Sequence, residues 1–144
     1  MKRINPFLKI AVMLIGGIAG CAVMTTIQEA GRNKSHLATQ ATRLSRDVEN
    51  MNKKLPMMLD EETRLDRVAA DSSQTTYFFC LPNLTKTNLE LSILEKTLHE
   101  SCMANFKTNS KLAVDRANNA SMKYQYKDKN GEFLFEFSVS AKDF

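Results

Sequence analysis

The hydrophobic pattern divides the chain into three parts, and the first part is a long apolar run. From Ile10 to Ile27 eighteen residues carry no charge, and Lys2, Arg3 and Lys9 precede them. A run of this length is near the shortest that crosses the hydrocarbon of a bilayer as a helix. Because basic residues stay on the cytoplasmic side, the pattern predicts a single transmembrane helix within residues 1–27. This helix would cross a bacterial inner membrane and place residues 28–144 in the periplasm.

The same run also fits a lipoprotein signal peptide. Residues 18–21, Ile-Ala-Gly-Cys, resemble a bacterial lipobox, in which the cysteine thiol is lipidated and the cysteine becomes the first residue after cleavage. Residues 22–24 continue the apolar run past Cys21, where a polar tether usually begins. The sequence therefore leaves two anchors open: an uncleaved transmembrane helix, or lipid on Cys21 that holds the chain in the envelope.

The second part, residues 28–56, has the spacing of an amphipathic helix. Its apolar residues alternate at intervals of four and three, as in the seam of a coiled coil: Leu37, Ala41, Leu44, Val48, Met51 and Leu55. Pro56 ends the predicted helix, because the residue before a proline is disfavoured in helical backbone. Fewer than three heptads are present, so two interpretations stay open. The helix is either a stalk that joins two copies into a homodimer, or a helix packed on the next domain.

The third part, residues 57–144, has patterns of strands and of one helix. Strands are predicted over residues 61–68 and over the β-branched and aromatic run 75–81. Residues 88–105 have helical periodicity, with Leu91, Leu94, Leu98 and Cys102 on one face. This helix is long enough to cover a small sheet.

The clearest pattern is a hairpin of two alternating strands around Asn130-Gly131. A two-residue type I′ turn at this dipeptide fixes the register and brings the apolar sides of both strands together, with Phe133 on that side. The predicted pairs are Tyr126 with Phe135, Tyr124 with Phe137 and Met122 with Val139. The fold class is therefore predicted as α+β, a ββαββ domain with a four-stranded antiparallel sheet covered by one helix.

A set of sequence features in residues 55–144 carries a resemblance. The features are an opening segment, a strand tyrosine, a helix cysteine and a hairpin motif: Leu55, Pro56, Met58, Asp60, Thr63, Arg64, Leu65, Asp66, Tyr77, Cys102, Tyr124, Tyr126, Asp128, Asn130 and Gly131. Their order resembles a group of small bacterial envelope proteins of unknown function, which have an N-terminal signal or anchor. Members tend to end in Asp-Cys, whereas this chain ends in Asp143-Phe144 and has Cys80 instead. The resemblance implies an exported protein and no known chemistry.

The three cysteines add one expectation. Cys21 belongs to the anchor, while Cys80 closes an apolar strand and Cys102 ends the apolar face of the covering helix. Thiols in an oxidising compartment pair where geometry allows. We therefore predict a disulfide between Cys80 and Cys102; the alternative is two buried free thiols.

The distribution of charge and the small number of candidate polar residues exclude some classes of function. The net charge is +4 and the pI is near 9.0, but three basic residues precede the apolar run and all 16 acidic residues follow it. Residues 28–144 are thus close to neutral, which argues against a nucleic-acid partner. His99 with Glu95, and the acidic run 60–62, are the nearest approaches to a metal or proton-transfer site, and both are more typical of solvated faces. We expect no cofactor, no metal and no catalysis.

These observations predict a non-catalytic interaction module. It would be tethered to the membrane, lie in the periplasm and contact another envelope protein. One alternative is a lipoprotein accessory factor, such as a pilotin-like protein of a secretion system or an exclusion protein. A small periplasmic enzyme or inhibitor is a third, less favoured hypothesis.

Overall fold

The computed structural model describes residues 45–71, 73–88 and 90–144. The predicted anchor, the candidate lipidation residue Cys21 and the first three seam residues, Leu37, Ala41 and Leu44, lie outside these ranges. Within the described ranges, none of the helices combines the length and the apolar character that a membrane crossing requires.

The described end of the amphipathic helix, α1, is helical over residues 45–52. Met51 and Leu55 are partly buried against the core of the domain. Asn52 binds the backbone of Val68: its amide donates to the Val68 carbonyl at 2.8 Å, and its oxygen accepts from the Val68 N–H at 2.9 Å. The end of α1 is thus packed on the domain, as the second interpretation of the seam expects. The homodimer stays a prediction.

The domain is an α+β fold with a five-stranded sheet, in which the strands follow chain order. The strands are β1 (Met57–Met58), β2 (Arg64–Ala70), β3 (Gln74–Leu81), β4 (Ser121–Asp128) and β5 (Phe133–Ser140). The helices are α2 (Leu91–Thr108) and α3 (Ala113–Ala117), with 3₁₀ turns at Lys86–Asn88, Ser110–Leu112 and Ala141–Asp143. The α+β class is confirmed. The four-strand count is wrong, because a two-residue β1 is too short to show alternation.

The predicted all-antiparallel sheet is also wrong, because β3 and β4 are parallel. The connection between them contains α2, whose 18 residues span about 27 Å as a helix. The 8 residues of β3 span about the same distance, roughly 26 Å. The helix therefore returns the chain to the end of the sheet where β3 begins, and β4 runs in the same direction as β3.

The core lies between α2 and one face of the sheet. On this covered face four buried aromatic side chains, Tyr77, Phe79, Tyr124 and Tyr126, stack with ring centroids 5.0–6.3 Å apart. The side chains of α2 that meet them are fully or almost fully buried: Leu94, Leu98, Cys102 and Phe106. Offset stacking of this kind adds to the stability gained from apolar burial.

The hairpin has the predicted pairs, but its turn is of another type. Tyr126 pairs with Phe135 and Tyr124 with Phe137, as expected. The loop, however, is a three-residue turn: the Gly131 N–H donates to the Asp128 carbonyl at 3.1 Å, and Gly131 has a φ of 81°. Asn130 does not have a positive φ, so the type I′ prediction is wrong. A type I turn with a left-handed glycine replaces it.

A bulge accompanies this turn and changes which residues are buried. The register shifts by one residue between Tyr126 and Lys127, so that Leu134 is an extra residue on β5. Leu134 is buried, whereas Phe133, which the alternation placed in the core, is 47% exposed. Phe133 instead pairs with Lys127 and shares its side of the sheet.

Candidate interaction surface

The face of the sheet opposite α2, which we call the open face, carries polar, charged and aromatic side chains. Most of them are half-buried or exposed: Arg64, Asp66, Arg67, Thr76, Phe78, Lys123, Gln125, Lys127, Phe133, Glu136 and Ser138. They alternate along the strands with the core residues of the covered face, because successive side chains of a strand point to opposite faces.

Two carboxylates of the open face are each held by a cation. The Lys123 ammonium lies 2.7 Å from Glu136, which also accepts a hydrogen bond from Gln125 at 3.2 Å. The bond from Lys123 lowers the pKa of Glu136. Arg64 donates two hydrogen bonds to Asp66, and these raise the pKa of Arg64. Both carboxylates are thus paired with a cation on the open face.

Two further cations of the open face have no ion-pair partner among the described residues, and each lies beside an aromatic ring. The Arg67 guanidinium lies 4.1 Å from the centroid of the Phe78 ring, a cation–π geometry. Lys127 is exposed and stands across the hairpin from Phe133. The open face therefore has four cations, two carboxylates and two accessible aromatic side chains, and its surplus charge is positive.

The structure holds Cys80 and Cys102 as free thiols, so the predicted disulfide is not formed. Cys80 follows Phe79 in β3 and points to the open face, where its thiol donates to the Asp128 carbonyl at 3.4 Å. Cys102 lies on α2 against the covered face. The sheet separates the two sulfur atoms, which the order of residues along the chain did not reveal. Burial raises the pKa of both thiols, so neither has the thiolate character of a reactive cysteine.

The other candidates from the sequence are His99 and the acidic run 60–62. The His99 ring lies 5.0 Å from the Phe137 ring, and its Nε2 atom is buried without a hydrogen-bond partner. Asp60 accepts a hydrogen bond from the Glu62 N–H at 2.7 Å, which closes the turn before β2. The part of the chain that the structure describes contains no cluster of three or more histidine, cysteine or acidic side chains suited to a metal ion.

Sequence reasoning missed two buried aspartates with opposite surroundings. Asp128, at the end of β4, is 0% exposed and accepts hydrogen bonds from three backbone N–H groups, those of Lys86, Asn130 and Glu132. Burial opposes ionisation of this carboxylate, but the three donors outweigh burial and lower the pKa of Asp128. It fastens the hairpin turn to the loop after β3.

The second buried aspartate, Asp115 in α3, is 1% exposed, and its Oδ2 atom has no hydrogen-bond partner. Burial raises the pKa of Asp115 to about 6, and the charge of Arg116 opposes this effect. The Arg116 guanidinium donates instead to the carbonyls of Phe106 and Asn109, at 2.6 and 2.8 Å. The alternation of β4 could have placed Asp128 on the covered face; a five-residue helix gives no comparable signal for Asp115.

Comparison with known proteins gives matches in structure and none in sequence. No protein-family model matches the chain, and no curated protein matches it. The pilotin EpsS of the Vibrio vulnificus type 2 secretion system superposes with a TM-score of 0.52 at 9% identity, over 76% of this chain and 96% of that one. AspS, the type II secretion pilotin of Vibrio cholerae, gives 0.51 at 13% identity, over 77% and 94%. This chain has the fold of these pilotins.

A third solved structure has the same fold without a pilotin assignment. PA3611, a Pseudomonas aeruginosa protein assigned as secreted, superposes with a TM-score of 0.58 at 10% identity, over 79% of this chain and 97% of that one. All three chains are matched over almost their whole length. At these identities the likeness concerns the fold alone.

Proposed function

We propose that the chain is a non-catalytic accessory lipoprotein of the bacterial envelope, of the pilotin type, which contacts a protein component of a secretion system. The fold match to two pilotins over 94% and 96% of their lengths carries this proposal. It favours the second hypothesis drawn from the sequence over a generic inner-membrane module.

The anchor in this proposal is lipid on Cys21. Residues 18–21 have the lipobox-like order Ile-Ala-Gly-Cys, and a basic n-region and an apolar segment precede them. Cleavage before Cys21 would leave residues 22–44 between the lipid and the described domain. The chain would then be lipid-anchored in the envelope rather than held there by a transmembrane helix.

The chemistry of the described residues supports a binding role. The two thiols have raised pKa values because they are buried. The carboxyl of Asp115 is enclosed in the domain, where it cannot reach a substrate. The accessible polar and aromatic groups lie on the open face and on the helix surfaces, and they suit contact with a protein or a lipid better than catalysis.

The anchor is tested by palmitate labelling of the full chain expressed in a Gram-negative host. We expect label on the wild type and on Cys80→Ser, which keeps the lipobox, and none on Cys21→Ser. Label that survives in Cys21→Ser would contradict the lipoprotein assignment.

The pilotin role is tested in the source bacterium by deleting the gene and measuring the type II secretion substrates released into the medium. We expect release to fall on deletion, to recover with the wild-type gene and to stay low with Cys21→Ser. Unchanged release in the deletion strain would exclude a pilotin role, whatever the anchor.

A further inference from the structure

The open face combines positive charge with accessible aromatic rings. Arg67 lies over the Phe78 ring, and Lys127 pairs across the hairpin with Phe133, which is 47% exposed, so that two cations and two aromatic side chains share this face. The charges of Arg67 and Lys127 are not compensated by an ion pair among the described residues, whereas Arg64 is paired with Asp66 and Lys123 with Glu136. Cations and aromatic side chains together are typical of surfaces that lie at the headgroup level of a membrane.

The proposed tether keeps the domain close to a membrane. With lipid on Cys21, only residues 22–44 separate the anchor from the described start of α1. These 23 residues span about 80 Å at most when fully extended, and about 35 Å as a helix. A contact between domain and membrane is therefore intramolecular, and even a weak attraction can orient the domain.

We propose that the open face lies against anionic phospholipid headgroups of the membrane that anchors the chain. This inference rests on the anchoring in the proposed function and adds an orientation to it: α2 faces the periplasm and the sheet faces the lipid. Two uncompensated cations near an anionic surface give a preference on the order of tenfold for this orientation. A free acidic protein would have to compete with a surface that is always within reach.

The natural chain has no tryptophan, so a single tryptophan reports the environment of one position. Phe133→Trp places it on the open face. Phe144→Trp is the matched control, because Phe144 is 51% exposed but packs near Phe106 at the end of α2. The full-length chain with its anchor is reconstituted into vesicles that contain a brominated phosphatidylcholine as quencher, with or without phosphatidylglycerol.

We expect the tryptophan at 133 to be quenched several-fold more than that at 144 in phosphatidylglycerol vesicles. The difference should shrink without anionic lipid and at high salt, and disappear when Arg67→Glu and Lys127→Glu are added. On the unsubstituted chain, Lys127 should react more slowly with an impermeant amine reagent in anionic vesicles, while Lys96 on α2 should not change.

Flotation with the vesicles separates this inference from the anchor. A chain that fails to float overturns the anchoring and the orientation together. A chain that floats but is quenched equally at positions 133 and 144, or equally with and without anionic lipid, overturns the orientation alone. Equal quenching together with binding of an acidic protein to the open face would assign that face to a protein partner.

Discussion

Two buried aspartates allow a test of the electrostatics of this domain, because replacing each by asparagine should change stability with opposite signs. Asp115 is 1% exposed and has an unpartnered oxygen, while Asp128 is 0% exposed and accepts from three N–H groups. The pKa of Asp115 is raised to about 6 by burial, and that of Asp128 is lowered.

The sign for Asp115 follows from proton linkage. Below pH 3.8, the ordinary pKa, the carboxyl is neutral in both folded and unfolded chains. Between that pH and about 6 the unfolded chain ionises first, so folding stability falls as the pH rises, and it stays low above pH 6. The gap between the pKa values of 3.8 and about 6 corresponds to a loss of about 3 kcal/mol in the free energy of unfolding if the carboxyl is fully desolvated. Allowing for solvent screening leaves about 1–2 kcal/mol.

Asp115→Asn should therefore be more stable than the wild type at pH 7.5, and this advantage should shrink by about 1 kcal/mol at pH 4.5, which lies within the window between 3.8 and about 6. Asp128→Asn should lower the melting temperature at both pH 7.5 and pH 4.5, because an ionised acceptor is lost, and this loss should lessen only below pH 3.8, the ordinary pKa. The measurement is urea and thermal unfolding of a chain lacking residues 1–27 at both pH values. A pH-independent difference between Asp115→Asn and the wild type would show that the carboxyl is hydrated in the native state.

Three further substitutions or measurements test the fold. Gly131→Val should lower the free energy of unfolding by about 1 kcal/mol or more through backbone strain alone, since open space surrounds the position. Gly131→Asn should lower it less. If Gly131→Val melted at the same temperature as the wild type, the left-handed turn would be contradicted. Asn52→Ala should lower the free energy of unfolding by about 1–3 kcal/mol through loss of both hydrogen bonds to Val68. Asn52→Asp should have an intermediate effect. If urea unfolding showed no decrease for Asn52→Ala, α1 would not be packed on the domain. Cys80 and Cys102 should both be alkylated in denatured, unreduced protein from the periplasm, and mass spectrometry that finds them blocked would restore the disulfide.

The sequence was most informative where a local pattern and a long-range requirement agreed. The hairpin register followed from alternation on both strands, because any odd shift would have exposed the aromatic residues. The structure confirms the two pairs that this reasoning predicted, Tyr124 opposite Phe137 and Tyr126 opposite Phe135. The apolar face of α2 was predicted for the same reason, since Leu94 and Leu98 can be buried only on one side of a helix.

The sequence was least informative about the relative direction of neighbouring strands and about single-residue insertions within a strand. Periodicity identifies β3 and β4 but does not say which way the chain crosses between them, and the length of α2 decides that. The side on which Phe133 lies depended on one extra residue, Leu134, which no composition signal marks. The Cys80–Cys102 prediction failed for the same kind of reason, because both residues were assigned to the core before the faces of β3 were known.

The bulge in β5 links the core to the open face. A hairpin with a two-residue turn would bury Phe133 and leave Leu134 outside, which would replace the aromatic neighbour of Lys127 by an aliphatic one. The type I turn instead needs an acceptor at its first residue and a left-handed glycine at its last. Asp128 and Gly131 supply these. The hairpin turn therefore does more than reverse the chain: it determines that an aromatic side chain, rather than a leucine, pairs with Lys127 on the open face.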